Sequence, residues 1–508
     1  MRSKASIAAA LIITACLGSA CTQPAPNTHT WLLDSTPTVP ASLGQGNPAS
    51  PLIPTTRPAN VPYSSPTPDN AHADQALPAG TQQYTVKAGD TLNSVAAAHY
   101  VGTDELAAAN SLNSYDNLYE GQVLTIPAPT RLVPQSSFKI IPDSELVYGP
   151  VSSTLDIDSF VNSQNGYLKS YTEVVSGKAL SGAQVVATVA KEFSVNPRLL
   201  LALLEYQSGW VTQRQIPAQI LTYPMGYIDP DYEGLYSQLS WTSSRLNYGF
   251  YAFGVNALPS VQVTDGGLVT FSNTINAGTA ALQYYLALLD DSSTWTNAVS
   301  ENGFYTAYAR FFGIPFDLAV EPLLPAGLSQ PAMQLPFEAG DTWSFTGGPH
   351  AGWGVGSAWA AIDFAPPGDQ FGCYDTNTIE VAVADGTIVR SENGEVVLDL
   401  DGDGLEQTGW TVLYMHVASF QRIALGTQVK AGDPIGHPSC EGGVSNGTHL
   451  HLARRYNGVW IAADGPIPFN LDGWISAGDG YEYDGTLTRN GQIVTAEDGR
   501  IAENQIGR

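Results

Sequence analysis

The chain has 508 residues, with 47 acidic and 21 basic side chains and a formal net charge of −26. So acidic a chain lacks the basic surface that nucleic acids and anionic membranes require, which argues against both as its main partner. The length suggests about three domains. A hydrophobic content of 43% is sufficient to form real cores, so a fully disordered chain is excluded.

The N-terminus has the features of an export signal. Arg2 and Lys4 precede an apolar run that is too short to span a membrane, as in secretory signal peptides. The segments ending at Cys16 and Cys21 each resemble the lipobox of bacterial lipoproteins, and an ordinary cleaved signal is the alternative. We therefore expect a lipoprotein-type signal peptide in residues 1–21. The mature protein would be extracytoplasmic, either lipid-anchored at the cell envelope or secreted, and no later apolar run is long enough to span a membrane.

Two segments of different composition follow the signal. Residues 22–82 are rich in Pro, Ser and Thr and cannot bury enough surface to fold, so they are predicted to form a flexible tether. Residues 83–128 alternate as a strand, continue at helical spacing through two short segments, and close as a second strand. The predicted order is therefore β-α-α-β.

This small segment resembles a known glycan-binding module. Residues 84–92, together with residues 121–127, closely resemble a LysM module. LysM modules bind glycans that contain N-acetylglucosamine, chiefly peptidoglycan. The resemblance implies that two loops would hold the sugar, and their residues are Gly89, Asp90, Thr91 and Asn110.

Residues 129–154 are interpreted as a linker and residues 155–330 as a mostly helical domain. Residues 195–209 are similar to a lysozyme-like transglycosylase domain, whose general acid is a Glu directly before Ser-Gly. Here that position is Gln207, and an amide cannot donate the proton that the glycosidic bond needs. Glu205 lies two positions earlier, a rotation of roughly 200° around a helix, on the opposite side. We therefore predict a non-catalytic domain.

Five of the eight histidines lie between positions 350 and 451, among short strand-like runs separated by Gly and Asp turns. This pattern predicts an antiparallel all-β domain in residues 335–470, followed by a C-terminal extension in 471–508. His449 and His451 share one face of a strand, roughly 7 Å apart, and can address one metal or one water together. A zinc hydrolase needs three protein ligands and one open position for water.

Several segments of this domain together resemble the lysostaphin/LytM family of zinc metalloendopeptidases, which cut peptide bonds in peptidoglycan stems or cross-bridges. These are residues 347–350, 361–363, 384–386, 414–416, 430–436 and 447–451. Position by position, the resemblance implies one zinc ion held by three ligands and two catalytic imidazoles. The ligands would be His350, Asp363 and His451, and the catalytic residues His416 and His449.

The spacing of the first ligand differs from most members of that family. Twelve residues lie between His350 and Asp363, more than most members have, and this long spacing is similar to the β-lytic branch. His437 matches no ligand of the family and is interpreted as structural. The chain contains no H-E-x-x-H, so a helical zinc site of that kind is excluded.

Two further motifs in this domain have competing interpretations. Residues 443–447 satisfy G-x-S-x-G, but a nucleophile elbow requires a following helix, and the residues after them alternate as a strand. Asp399, Asp401 and Asp403 resemble the start of a calcium loop. The twelfth position is Trp410 rather than a bidentate Glu, so an acidic hairpin turn is preferred over a calcium site.

Cys373 and Cys440 are the two cysteines that remain after the signal. Outside the cytoplasm such a pair favours a disulfide, with two free buried thiols as the alternative.

Taken together, the sequence predicts a multidomain α+β protein. It would be a peptidoglycan hydrolase, a zinc-dependent endopeptidase targeted to the wall by its LysM module. One alternative is a wall-binding adaptor that activates other hydrolases without cleaving anything itself. Another is an enzyme that cleaves glycan through the helical domain.

Overall fold

The computed structural model describes residues 72, 80–113, 118–129, 131–258 and 260–508. The predicted signal peptide, the lipidation sites Cys16 and Cys21, and nearly all of the predicted tether lie outside these residues. Within the described ranges, none of the helices combines the length and the apolar character that crossing a membrane would require.

The N-terminal domain has the predicted order of elements. Its strands pair antiparallel, with Gln82 opposite Ile126. The first helix starts where Thr91 accepts a hydrogen bond from the backbone of Ser94, whose hydroxyl bonds back to Thr91 in a capping box. The elements are β1 (Gln82–Thr85), α1 (Leu92–Ala98), α2 (Thr103–Ala109) and β2 (Val123–Ile126).

The middle of the chain is mostly helical, as predicted. In one helix, Asn196 is the N-cap residue and Pro197 is the first helical residue. Gly209, in the left-handed conformation, caps the C-terminus of the same helix. Two short hairpins interrupt the helices. The elements are α3 (Ile157–Ser163), β3 (Thr172–Val175), β4 (Lys178–Ser181), α4 (Gly182–Phe193), α5 (Pro197–Ser208), α6 (Ala218–Thr222), α7 (Leu235–Gly254), β5 (Ser260–Gln262), β6 (Leu268–Thr270), α8 (Ala277–Ala287), α9 (Ser292–Ala298) and α10 (Phe304–Phe312).

Residues 129–154 were interpreted as a linker, but the second half of this segment packs into a domain core. Ile140, Ile141 and Leu146 are fully buried and belong to the core of the helical domain. The backbone N–H of Asn196 donates to the carbonyl of Leu146, which joins this stretch to the start of α5. Residues 140–151 therefore belong to the helical domain, because their apolar side chains fill its core.

The C-terminal part is the predicted antiparallel β domain. Its main sheet has the strand order β13-β10-β11-β12-β15-β8-β7-β21, and β16 pairs with β15. The elements are β7 (Thr342–His350), β8 (Ala361–Ala365), β9 (Glu380–Val381), β10 (Gly386–Glu392), β11 (Glu395–Asp399), β12 (Trp410–Met415), β13 (Gln428–Val429), β14 (Pro434–Gly436), β15 (Leu450–Tyr456), β16 (Val459–Trp460), β17 (Asn470–Leu471), β18 (Trp474–Gly478), β19 (Gly485–Arg489), β20 (Gln492–Thr495) and β21 (Gln505–Gly507).

Both faces of the central strands are buried. Leu413 and Ala453 point to one face and share a core with the helical domain. Val412 and Leu452 point to the other face and pack within the β domain. Burying a large aliphatic side chain contributes roughly 1.5–3 kcal/mol, so the helical domain and the sheet stabilise each other substantially.

The C-terminal extension is an integral part of the β domain. Strands β17 to β20 form a second small sheet, and β21 pairs with β7, with Ile506 opposite Trp343. The backbone N–H of Gly348 donates to the carbonyl of Tyr483. A Cβ at Gly348 would lie 2.5 Å from the carbonyl oxygen of Asp484, so this close approach requires glycine.

A buried group of charges connects the helical domain to the sheet. Arg390 Nη1 lies 2.7 Å from Glu395 Oε2, and Arg390 and Arg455 both approach Glu406 Oε2, at 3.2 and 3.0 Å. From the helical domain, Glu192 joins this group. Burial, together with the charge of Glu395, raises the pKa of Glu192 to about 7. Glu192 is thus a buried carboxyl that is protonated more readily than in the unfolded chain.

The raised pKa of Glu192 predicts a pH-dependent effect of Glu192→Gln. The folded state binds this proton more tightly than the unfolded state, so the wild type loses stability as the pH rises from about 4.5 to about 7. The neutral amide avoids that loss. We expect the variant to be more stable than the wild type by about 1–3 kcal/mol at pH 8 and nearly equal to it at pH 4.5. Urea unfolding at both pH values measures this.

The matched control is Glu503→Gln, because Glu503 is exposed. It should leave stability nearly unchanged at both pH values. A stability gain for Glu192→Gln that is the same at both pH values would contradict the titration of Glu192.

Candidate active site and metal centre

Three neighbouring strands bring the predicted ligands together. His350 ends β7, Asp363 lies in β8, and His451 lies in β15. His451 is directly opposite Asp363 in the antiparallel register, and Asp363 is opposite Gly347. The side chains therefore converge because of strand pairing rather than proximity in sequence.

The donor atoms form a compact triangle. His350 Nε2 lies 3.0 Å from His451 Nδ1 and 3.2 Å from Asp363 Oδ1, and His451 Nδ1 lies 3.3 Å from Asp363 Oδ1. Ligands that sit about 2.0–2.1 Å from a tetrahedral zinc ion are roughly 3.3 Å apart, so the spacing fits such an ion. Asp363 Oδ1 is buried and accepts no hydrogen bond from the described residues, which suits an atom that ligates a cation.

In each imidazole of the site, one ring nitrogen is hydrogen-bonded to a backbone carbonyl. A carbonyl only accepts, so that nitrogen carries the hydrogen and the other nitrogen presents its lone pair to the site. The pairs are His350 Nδ1 with Gly348 at 2.8 Å, His451 Nε2 with Gly352 at 3.2 Å, His416 Nδ1 with Glu441 at 3.1 Å, and His449 Nδ1 with Gly447 at 2.8 Å.

The two predicted catalytic imidazoles lie beside the triangle. The rings of His416 and His449 are 4.5 Å apart between centroids, and His449 Nε2 lies 3.7 Å from Asp363 Oδ2. His416 follows directly after β12 and has a φ of 68°, in the left-handed region that a side chain rarely adopts.

Burial and mutual proximity set the charges of these groups. Burial raises the pKa of the Asp363 carboxyl, but His350 and His449 outweigh it and hold this pKa well below its ordinary value. Burial, together with the nearby His449 and His451, lowers the pKa of His416 to about 3. Asp363 is therefore ionised and His416 neutral at neutral pH.

A tyrosine of the C-terminal extension also borders the site, and no motif pointed to it. The ring of Tyr483 stacks on His350, with 4.3 Å between centroids. The neighbouring Glu482 accepts a hydrogen bond from the backbone of Ala351 through Oε1. The extension thus supports the first predicted ligand.

The long segment between His350 and Asp363 forms a loop that packs against the helical domain. A Cβ at Gly356 would lie 2.2 Å from the carbonyl oxygen of Ser244 in α7, so the loop backbone touches that helix. The same loop supplies the Gly352 carbonyl that orients His451. The additional residues therefore connect the ligand set to the neighbouring domain.

Cys373 and Cys440 form a disulfide with 5.7 Å between their Cα atoms. The backbone N–H of Thr448 donates to the carbonyl of Gly372, beside the bridge. The disulfide therefore links two loops next to the catalytic imidazoles.

Two other candidate residues of this domain, His437 and Ser445, do not belong to the metal site. Nδ1 of His437 contacts the Thr378 carbonyl and Nε2 contacts Gln421, so both of its nitrogens have partners away from the triangle. Ser445 is followed by strand β15 rather than a helix, which excludes a nucleophile elbow.

The acidic residues Asp399, Asp401 and Asp403 do lie close together. The Asp399 carboxylate accepts hydrogen bonds from the backbone of Asp401, Gly402 and Gly404, as in a tight turn. These hydrogen bonds fit the acidic hairpin turn that was preferred from the sequence, and comparisons with known proteins do not support the alternative, a calcium site.

Two of the predicted glycan-binding residues, Asp90 and Asn110, form hydrogen bonds within the N-terminal domain. Asp90 Oδ2 accepts hydrogen bonds from the Tyr84 hydroxyl and the backbone of Lys87. The Asn110 amide bonds to the backbone of Thr125 through both its oxygen and its nitrogen. Asn110 thus joins α2 to β2, and the glycan role of these loops, including Gly89 and Thr91, stays a prediction.

In the helical domain, Glu205 has structural partners. It accepts hydrogen bonds from the Thr212 hydroxyl at 2.6 Å and from Arg310. Gln207 stands where the resemblance to a transglycosylase domain would place the general acid. The absence of glycosidase activity stays a prediction.

Comparison with known families matches three consecutive parts of the chain. Residues 84–127 match the LysM domain, 139–324 the N-terminal domain of LasA, and 368–463 Peptidase family M23. The M23 match includes His416, His449 and His451 and begins after His350 and Asp363. For the helical region, the matching family is the LasA N-terminal domain.

Curated relatives also match part of the chain. The chain is 30% identical over 303 residues to Protease LasA of two Pseudomonas aeruginosa strains, PAO1 and UCBPP-PA14. The alignment covers 54% of this chain and 66% of the relative, so the chain spans slightly less than two thirds of its length.

Similar solved structures include an M23 metalloprotease, pseudoalterin, from the deep sea. It is 23% identical, with a TM-score of 0.27, and the match covers 34% of this chain and 96% of that one. The catalytic domain of lysostaphin from Staphylococcus simulans is 24% identical, with a TM-score of 0.18, and the match covers 24% of this chain and 87% of that one.

The triangle predicts the outcome of a metal-binding experiment. We expect purified protein to bind about one zinc ion per chain. His451→Ala removes one donor and should weaken zinc affinity by more than about a hundredfold. Metal content after dialysis against a zinc buffer measures both.

His437→Ala is the matched control, since it also removes a buried imidazole of the same domain but none of the triangle. It should keep its zinc. Equal loss of metal in the two variants would mean that the triangle is not the binding site.

Proposed function

We propose that this protein is a zinc-dependent endopeptidase that cleaves peptide bonds in peptidoglycan. The observation that carries the proposal is the triangle of His350, Asp363 and His451 with two further imidazoles beside it. The M23 and LysM matches support the same reaction and substrate class.

The donor set suits zinc in its chemistry as well as its spacing. Two neutral imidazoles and one carboxylate are ligands that zinc prefers, and they leave the bound ion with net positive charge. When bound there, zinc polarises the substrate carbonyl and makes water nucleophilic near neutral pH. His350, Asp363 and His451 would hold it.

His416 and His449 would move the proton. Each has its Nδ1 hydrogen on a carbonyl, which leaves Nε2 free to accept a proton from the attacking water. The same nitrogen then returns the proton to the amine that leaves when the peptide bond breaks. The two rings lie 4.5 Å apart between centroids, and the ring that has accepted the proton carries an Nε2–H that can donate a hydrogen bond to the developing oxyanion.

The LysM domain would direct this activity to the wall. Binding glycan through the loops at Gly89, Asp90, Thr91 and Asn110 would raise the local concentration of wall peptide at the peptidase. A lipid on Cys16 or Cys21, followed by the tether in residues 22–82, would keep the protein at the extracytoplasmic side of the envelope. The wall would be recognised by shape and hydrogen bonds, given the net charge of −26.

This function predicts which variant loses catalysis while keeping the metal. His449→Ala removes a proton acceptor but no atom of the triangle, so zinc content should stay near one per chain. We expect kcat/KM on defined wall fragments to fall by about 10²–10⁴-fold. Cleavage by the wild type should stop with a chelator and resume with added zinc.

Product analysis separates this function from its alternatives. New amino termini are expected, and new reducing or anhydro sugar ends would instead assign the activity to the helical domain. Release of no fragments by zinc-loaded wild type would favour the adaptor function. His437→Ala again serves as the control and should cleave at the wild-type rate.

A further inference from the structure

Ser439 lies between the two predicted catalytic imidazoles. Its backbone N–H and its hydroxyl both donate to the carbonyl of His416, each at 2.7 Å. Its own carbonyl accepts the backbone N–H of His449 at 3.3 Å, in an isolated antiparallel bridge. One residue therefore contacts the main chain of both histidines, although 23 positions separate it from His416.

The Ser439 hydroxyl also closes a ring of hydrogen bonds around His416. Its Oγ accepts the backbone N–H of Glu441 at 2.9 Å while donating to the His416 carbonyl. The Glu441 carbonyl in turn accepts Nδ1 of His416. The ring thus fixes the backbone and the side chain of His416 relative to each other.

The backbone of His416 needs such restraint. Its φ of 68° lies in a region that is unfavourable for a residue with a side chain and persists only where surrounding contacts enforce it. The side chain leaves the end of β12 at this residue, so a change in φ would swing the ring away from the triangle. Without the hydroxyl of Ser439, the backbone N–H of Glu441 loses its acceptor. That hydrogen bond helps to keep the Glu441 carbonyl within reach of His416 Nδ1.

We propose that Ser439 is a positioning residue that sets the orientation and the tautomer of His416. Its hydrogen bonds within the described part of the chain go to His416, His449 and Glu441 and to no atom of the donor triangle, and it acts through the ring that includes Glu441. This inference rests on the proposed function for its effect on rate, while its effect on the His416 ring is independent of any activity.

Kinetics of Ser439→Ala test the effect on rate. We expect kcat to fall about tenfold to a hundredfold with KM changed less than about twofold, because the reacting group is misplaced while substrate contacts remain. Ser439→Thr retains the hydroxyl and should recover most of kcat. Zinc content should stay near one per chain in both variants.

Ser391→Ala is the matched control. The Ser391 hydroxyl also donates to a backbone carbonyl of the same domain, that of Ile423, but Ser391 lies on β10, which β11 separates from β12. Ser391→Ala should lose about as much thermal stability as Ser439→Ala but keep the wild-type kcat. If Ser391→Ala lowers kcat as much as Ser439→Ala, the loss is general destabilisation and the proposal is wrong.

A spectroscopic readout keeps this test separate from the proposed function. In zinc-loaded protein with ¹⁵N-labelled histidine, the His416 ring should show a protonated Nδ1, with the signal assigned by its absence in His416→Gln. Ser439→Ala should lose this slowly exchanging proton, and Ser439→Thr should restore it. A wild-type signal in Ser439→Ala overturns the proposal. If the wild type cleaves no wall peptide in the presence of zinc, the proposed function fails and the spectra alone decide on Ser439.

Discussion

The antiparallel pairing of β7, β8 and β15 is the constraint on which the site depends. Backbone hydrogen bonds place Asp363 opposite His451 and bring His350 to the same edge, so the donor atoms need no flexible loop to meet. Such a framework holds the geometry before any ligand arrives. Preorganisation of this kind is what gives a metal site its affinity and its selectivity for tetrahedral ions.

Because the site is buried, each of its polar side chains needs a hydrogen-bond partner or a metal ion. A buried imidazole or carboxylate without a partner is strongly unfavourable, so the sheet can hold these polar groups only if each is satisfied. Four backbone carbonyls accept one nitrogen each: those of Gly348 and Gly352 on either side of His350, and those of Glu441 and Gly447 in the loop before β15. The orientation of the rings is therefore a property of the loops around the sheet as much as of the strands.

Local patterns in the sequence predicted the strands and helices that carry the site, for clear reasons. Residues 411–416 are almost continuously apolar, which is typical of a strand buried on both faces, and β12 is such a strand. The order of elements in residues 83–128 was also correct, because caps and turns there follow local chemistry. The donor residues were predicted from the resemblance of several motifs to those of a metalloendopeptidase family, and the structure brings these residues together.

Contacts between distant segments escaped sequence reasoning. Residues 140–151 lack a strong periodicity, yet their side chains fill a core created by helices that come later in the chain. Tyr483 reaches His350 from a segment after the family motifs, through pairings that no local pattern encodes. The buried charges at Arg390 and Glu192 likewise come from different domains, so neither sequence neighbourhood reveals the other.

Strand β21 has a consequence for handling this protein. It covers the outer edge of β7, the strand that ends in His350, through pairs such as Ile506 with Trp343. Proteolytic trimming of those few residues would leave a row of backbone groups on β7 unpaired and an apolar side chain uncovered. An edge of that kind recruits strands from other molecules, so clipped preparations would be prone to self-association.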